Sequence, residues 1–316
     1  MNPVIADVVR SGFVEGHHHG CVIALNADGS SAFTIGDVDS PIFPRSSNKP
    51  MQAAGMVRAG LNLSGELLAL AASSHSGEAP HLDGVSSILT SAGLSVADLR
   101  TPPDLPLDEA AREAWLRAGH GREPIAMNCS GKHAGMLATC VVNDWPTQTH
   151  LDPEHSLQRA IRATVEELAG EKVSAVGVDG CGAPLFALSL DGLARAFRDL
   201  VLADAGSPEG RVAAAMRDHP FYVGGTGRDA TLLMEGIPGL LAKDGAEGVF
   251  AAALADGRTV ALKVDDGAAR ARAPVMVTAL RRLGEQHVVL DELETTPVLG
   301  GGQVVGQVRA TLDTAR

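Results

Sequence analysis

The chain has 316 residues, 45% hydrophobic and 20% charged, with a formal net charge of −12. That length and balance exclude wholesale disorder and allow a sizeable core. The acidic excess argues against nucleic-acid backbones as the main partner, and no apolar run approaches the ~20 residues of a membrane helix. With aromatics at only 3%, the core must be built from Ala, Leu, Val and Gly. Four Cys are too few for a disulfide scaffold in a chain of this size. Met1–Gly16 lacks a basic-then-apolar leader, so a reducing, cytoplasmic setting is expected.

Val4–Val9 and Cys21–Asn26 read as strands, and Asn26-Ala27-Asp28-Gly29 as the turn to a third at Ser31–Ile35. Pro41–Pro44 is a stiff connector. A helix is predicted from Ser46 or Ser47 towards Gly60, then helices over Leu67–Ala72, His81–Ser91 and Ala110–Ala118. Pro153–Ala169 is the clearest helix: Asp152 suits the N-cap, Gly170 the C-cap, and Leu157, Ile161, Val165 and Leu168 share a face. Val173–Val178 reads as a strand, Gly192–Ala203 and Gly210–Arg217 as helices. Gly248–Leu254 and Arg258–Val264 alternate as a hairpin around Asp256-Gly257. Ala268–Leu283 is a helix, followed by one or two short strands. Strands thus cluster at both ends with helices between, which predicts α+β: an antiparallel sheet from both chain ends (1–36 and 248–310), helices on its faces and a helical insert over about 46–235. One domain over 1–316 is expected.

Lys occurs at only five positions, 49, 132, 172, 243 and 263. Two follow a candidate nucleophile by three residues, in Ser46-Ser47-Asn48-Lys49 and Cys129-Ser130-Gly131-Lys132. Residues i and i+3 share a helix face, so a lysine amine can reach a serine hydroxyl, and helix-start N–H groups can hold an oxyanion. Losing the amine proton near neutrality requires a shift of ~3 pKa units, which burial or nearby cations must supply; Arg45 is one such cation. The plain alternative is an N-cap Ser and a solvated Lys. Cys129 and Cys181, each in a turn beside Gly, can bind Zn2+ with Lys132 or His133, although single Cys are no zinc-finger pattern and spacing alone favours two buried free thiols.

Three further segments stand out. In His17-His18-His19, strand alternation predicts one inward and two exposed rings. Ser73-Ser74-His75-Ser76-Gly77-Glu78 reads as a polar turn at a helix end, either capping or carrying a second active hydroxyl. Gly224-Gly225-Thr226-Gly227-Arg228-Asp229 matches no nucleotide fingerprint well and reads as an anion cradle or a flexible turn.

Taken in order, Arg10–His18, Pro44–Gln52, Ser74–Glu78, Asn128–Gly135, Val178–Pro184, Lys243–Val249 and Leu262–Gly267 resemble the rhizobial-type (class 3) L-asparaginases. The resemblance implies a fold similar to serine β-lactamases and transpeptidases, and hydrolysis of L-asparagine to L-aspartate and ammonia. It implies Ser46 as nucleophile with Lys49 as base, Ser74 and Lys243 as a second Ser–Lys pair, and Arg45, His133 and Asp179 lining the substrate pocket. It also implies Cys129, Lys132 and Cys181 as ligands of a substrate-orienting Zn2+. Ser76 competes with Ser74, and Lys263 with Lys243. A homodimer is the expected assembly. The competing functions are a β-lactamase or peptidase-like serine hydrolase, which needs no Cys pair, and a non-catalytic amino-acid-binding protein.

Overall fold

A computed structural model describes residues 1–312; the last four residues of the expected domain lie outside them. In chain order the elements are β1 (Val4–Arg10), β2 (Phe13–Leu25), β3 (Ser31–Ile35), α1 (Lys49–Arg58), α2 (Gly65–Ala71) and α3 (Ala79–Ser91). Next come α4 (Glu109–Arg117), α5 (Ser130–Val142), α6 (Ser156–Ala169), β4 (Val176–Val178), β5 (Pro184–Phe186), α7 (Leu190–Leu202) and α8 (Pro208–Asp218). The remainder is α9 (Pro220–Val223), α10 (Asp229–Gly236), β6 (Leu241–Asp244), β7 (Val249–Ala253), β8 (Thr259–Val264), α11 (Arg272–Arg282), α12 (Val288–Leu293), β9 (Thr295–Gly300) and β10 (Gln303–Ala310).

The main sheet runs β6–β7–β8–β2–β1–β10–β9, with β3 against β2, and its neighbours are all antiparallel. Both chain ends therefore build one sheet, and the intervening helices form the insert, which is the expected α+β arrangement. β2 does two jobs: its first half pairs with β1, and from Gly20 onward it pairs with β8 and β3. Gly20 sits where these ladders meet. A Cβ there would lie 2.2 Å from the Lys263 carbonyl oxygen and 2.5 Å from Ile5, so only glycine lets the backbones approach.

α7 packs on β7 and β8, and α11 on β8, β9 and β10. On α7, Leu193, Phe197 and Leu200 are fully buried at helical spacing. In the insert, α1 packs on α6 and α8, and α5 on α2 and α3. No helix of the described residues is long and apolar enough to cross a membrane.

Three expected boundaries are corrected. The long helix begins at Ser156, not Pro153, because Asp152 closes the preceding turn: its carbonyl accepts from the His155 N–H at 2.9 Å and its carboxylate from the Glu154 N–H at 2.8 Å. The His155 ring caps the helix instead, accepting from the Leu157 N–H at 3.1 Å. The other end is as expected, with Gly170 left-handed at φ 67°. The predicted strand Val173–Val178 shortens to β4, paired only with β5 outside the main sheet. The sheet's second contribution starts at Leu241, because β6 is a four-residue, fully buried strand too short to show alternation. The histidine triplet lies within β2, with His18 buried, His17 exposed and His19 between.

Candidate active site

Lys49, Lys132 and Lys243 are among the largest fully buried side chains, with exposures of 1%, 1% and 0%. Lysine is rarely buried without a partner because its charge loses hydration. Three such burials among five lysines mark one region of the fold as built for amines.

Pro44 leads into a 3₁₀ turn, Arg45–Asn48, that runs directly into α1, where Pro50 suits the first turn. The helix expected from Ser46 thus starts as 3₁₀, which stacks i on i+3 and places Ser46 and Lys49 on one face. Arg45, just before Ser46, is left-handed at φ 52°, a strained conformation for a side chain of its size. The Ser46 N–H lies in the first turn of this segment, where no intrahelical carbonyl is available. A cavity of about 150 Å³ is lined by Ser46, Ser74 and Asn128 together with Arg228, Asp244 and Arg272.

The Lys49 amine donates to the Ser73 carbonyl at 2.5 Å, the Ser74 hydroxyl at 2.9 Å and the Cys129 sulfur at 3.0 Å. The expected Ser46–Lys49 hydrogen bond is not formed, and neither is the expected Ser74–Lys243 pair: Lys49 reaches past Ser46 to Ser74. The segment after α2 carries Ser74 to this place. Its Ser74 N–H donates to the Val223 carbonyl at 3.0 Å and its His75 N–H to the Asn128 carbonyl at 3.1 Å. Ser76 instead donates to the Gly224 carbonyl at 2.8 Å and holds a loop, so the geometry selects Ser74 for the cavity.

Lys243 belongs to β6 and donates to the Asp244 carbonyl and carboxylate, both at 2.8 Å. Lys263, its competitor, donates to the carbonyls of Glu247 and Val264 away from the cavity. Burial pushes the Lys243 amine down to about 8 against the pull of Asp244. Burial alone raises the Asp244 carboxyl, but Lys243, Arg228 and Arg272 outweigh it and hold the group well below the usual range. Gly245 ends β6 tightly against the Ser46 turn: a Cβ would lie 2.6 Å from the Pro44 carbonyl oxygen.

The lowered amine has a consequence for stability. Between about 8 and the ordinary 10.5, the unfolded chain keeps a proton that the folded protein has released, so stability rises with pH across that window. The full effect is on the order of 3 kcal/mol. Thermal melts of wild type and Lys243→Met should therefore show a gap that shifts in favour of wild type as pH rises from about 8 to about 10. A gap independent of pH would rule out a perturbed amine.

Cys129, Lys132 and Cys181 meet in space. The Lys132 amine is 3.2 Å from the Cys181 sulfur, and the Cys129 thiol donates to the Asn128 side-chain oxygen at 3.2 Å. The neighbouring Cys129, with Lys132 and His133, holds the Cys181 thiol far below its usual range. Cys129 is pushed well above its usual range by Cys181 and by burial. Burial lowers the Lys132 amine, but Cys181, Cys129 and Asp179 more than reverse it. Among the described residues no group of three His, Cys, Asp or Glu could hold a metal, so an ion here would need the amine as third ligand. The two sulfurs are zinc-type donors, and the Lys132 amine can join them only when an ion takes the place of its proton. Both ring nitrogens of the buried His133 also lack a hydrogen-bond partner. The two sulfurs fit the ion, and Lys132 would complete the set on losing its proton.

The other expected pocket residues surround this sulfur cluster rather than the cavity. Arg45 donates to Asp179 at 2.8 Å and lies 3.5 Å from Glu247, facing an outer groove with Phe43 and Val178. Asp179 approaches the Cys181 sulfur at 3.8 Å. His133 is fully buried and kept neutral by burial. The sequence reading missed Arg272, Asn128 and Asp244 as cavity residues, and saw Arg228 only within a glycine-rich loop. The signals that touched any of them were the stretches Asn128–Gly135 and Lys243–Val249, which carry the family resemblance and contain Asn128 and Asp244.

No curated protein matches the chain. Among solved structures, it is similar to a beta-lactamase from Mycobacterium bovis at 14% identity, over 79% of this chain and 88% of that one, with a TM-score of 0.42. It is similar to Mglu in its native form at 16% identity, over 90% and 68%, with a TM-score of 0.46. A Bacillus glutaminase matches at 11% identity over 78% and 83%, with a TM-score of 0.41. The family of L-asparaginase II matches residues 6–310, a span that takes in both halves of the sheet and every residue around the cavity. On that match the chain belongs to the L-asparaginase II family.

Proposed function

We propose that the protein hydrolyses L-asparagine to L-aspartate and ammonia through an acyl-enzyme on Ser46. The observation that carries this reading is two serines, Ser46 and Ser74, on one small cavity, with the buried Lys49 amine 2.9 Å from the Ser74 hydroxyl. Family membership adds the substrate class.

The Ser46 oxygen attacks the side-chain carboxamide carbon as its proton passes to the Lys49 amine. The carbonyl π pair moves onto oxygen, and the Ser46 N–H stabilises the oxyanion. Lys49 returns the proton through the Ser74 hydroxyl to the departing nitrogen. The C–N bond breaks and ammonia leaves. Water, deprotonated by the same Lys49–Ser74 pair, then hydrolyses the β-aspartyl ester. A coupled ammonia assay with L-asparagine, L-glutamine and penicillin tests the reading: turnover confined to penicillin, or absent with all three, overturns it.

Cys129, Lys132 and Cys181 would hold a Zn2+ ion in the same proposal. Bound there, it would supply positive charge that orients substrate. The serine–lysine chemistry proceeds without it, so a chelator should raise KM for L-asparagine by about tenfold or more and change kcat by less than about threefold. An unchanged KM in protein verified as metal-loaded before treatment would remove the ion from substrate binding.

A further inference from the structure

We infer that Arg228 and Arg272, tied together by Asp244, form a clamp for the α-carboxylate of an amino-acid amide, and so restrict the enzyme to substrates whose α-carboxylate is free. The inference rests on the hydrolase reading above and adds what the site demands of its substrate.

Both guanidinium groups reach the cavity that Ser46 and Ser74 border. Arg228 donates to Asp244 through Nη2 alone, at 2.7 Å. Arg272 donates through Nη1 to the Gly245 carbonyl at 2.6 Å and lies 3.4 Å from Asp244. Its Nη2 is 3.9 Å from Asp229. Its Nε has no partner although Arg272 is only 9% exposed. A buried, unpaired guanidinium N–H is costly unless a ligand completes it. Asp244 is the one carboxylate among the cavity-lining residues, and Lys243 already shares it. Of the residues that line the cavity, two guanidinium groups face one carboxylate, with Asp229 offsetting part of their charge from behind, and their planar forks match a carboxylate.

The clamp is held in place. Arg228 ends a glycine-rich loop that Glu78 pins, accepting from the Thr226 N–H at 2.8 Å and the Thr226 hydroxyl at 2.7 Å. Arg272 opens α11. The loop first read as an anion cradle thus contributes a side chain rather than its backbone. A cavity of about 150 Å³ leaves a ligand anchored at this clamp little room beyond a small side-chain amide at Ser46. A substrate with an amidated carboxyl cannot accept from both forks and strands buried donors, a loss that discriminates strongly.

The experiment compares L-asparagine with its α-N-methylamide in wild type, Arg228→Gln, Arg228→Lys and Arg272→Gln, with melts to confirm folding. Wild type should prefer L-asparagine by at least about a hundredfold in kcat/KM. Each Gln variant should raise KM for L-asparagine by about thirtyfold or more and collapse that preference, with Arg228→Lys recovering part of it. Titration calorimetry of L-aspartate provides an arm independent of turnover: wild type should bind it, and folded Arg228→Gln should not. Equal use of the two substrates by wild type, or a folded Gln variant with KM within about threefold of wild type, overturns the clamp alone. L-Aspartate binding that is lost in Arg228→Gln, in a wild type that releases no ammonia, keeps the clamp and overturns the asparaginase reading.

Discussion

Replacing Ser46 with alanine should cut kcat/KM on L-asparagine by three orders of magnitude or more while the protein melts within a few degrees of wild type. Ser46 is half-buried on the cavity rather than packed in the core, and its hydroxyl makes no hydrogen bond to another described residue. Removing that oxygen therefore deletes little that stabilises the fold. It removes the atom that would form the ester, and Ser74 sits on a different backbone segment, away from the N–H groups of the Ser46 turn. Steady-state ammonia release, with mass spectrometry for a trapped acyl-enzyme in wild type, checks this. More than about a tenth of wild-type activity in Ser46→Ala would remove Ser46 from the nucleophile's role.

Lys49→Arg should be nearly as damaging, for a different reason. As an ammonium, Lys49 has three donors, and all three are used, on Ser73, Ser74 and Cys129. The amine can act as a base only after losing a proton, which a guanidinium does not do near neutral pH. Arginine keeps the positive charge, so a purely electrostatic role would survive the change while a proton-transfer role would not. The larger head also meets a fully buried site, so Lys49→Met provides a second, smaller variant. Ser74→Ala should cost less, about 10²–10⁴ in kcat, as expected for a group that moves a proton without forming the bond. Measured kcat for the three variants decides the matter, with melts as the control for folding. Folded Lys49→Arg with more than about a hundredth of wild-type kcat would mean that another group takes the proton.

Much of this protein was legible along the chain. The shared face of α6 follows from a side-chain period that a local window shows, whereas the alternation expected of β7 and β8 is not realised, because both faces of these central strands are covered. The hairpin of β7 and β8 is marked by Asp256-Gly257, where Gly257 sits at φ 93°. Ser46, Lys49, Ser74 and the pair Cys129 and Cys181 were recognisable because each stands in a short motif. The scarcity of lysine pointed to Lys49 and Lys132, and the resemblance to Lys243; the fold buries all three while leaving Lys172 exposed.

What the chain could not disclose is partnership between segments distant in sequence. Spacing suggested Ser46 with Lys49, and the family resemblance implied Ser74 with Lys243. The tertiary structure pairs Lys49 with Ser74 on another segment, since its stem is long enough to pass its own helix turn, and Lys243 turns to the adjacent Asp244 of its own strand. The resemblance implied Arg45, His133 and Asp179 as pocket residues, and packing places them around Cys181. Arg272 carries no local signal at all, because it is one arginine among many at a helix start. The sequence by itself determined which elements form and which amines are unusual, since periodicity and composition are local properties. Only the tertiary structure decided which charges face one another, because β6, the loop before α10 and the start of α11 converge on Asp244 through sheet pairing and helix packing.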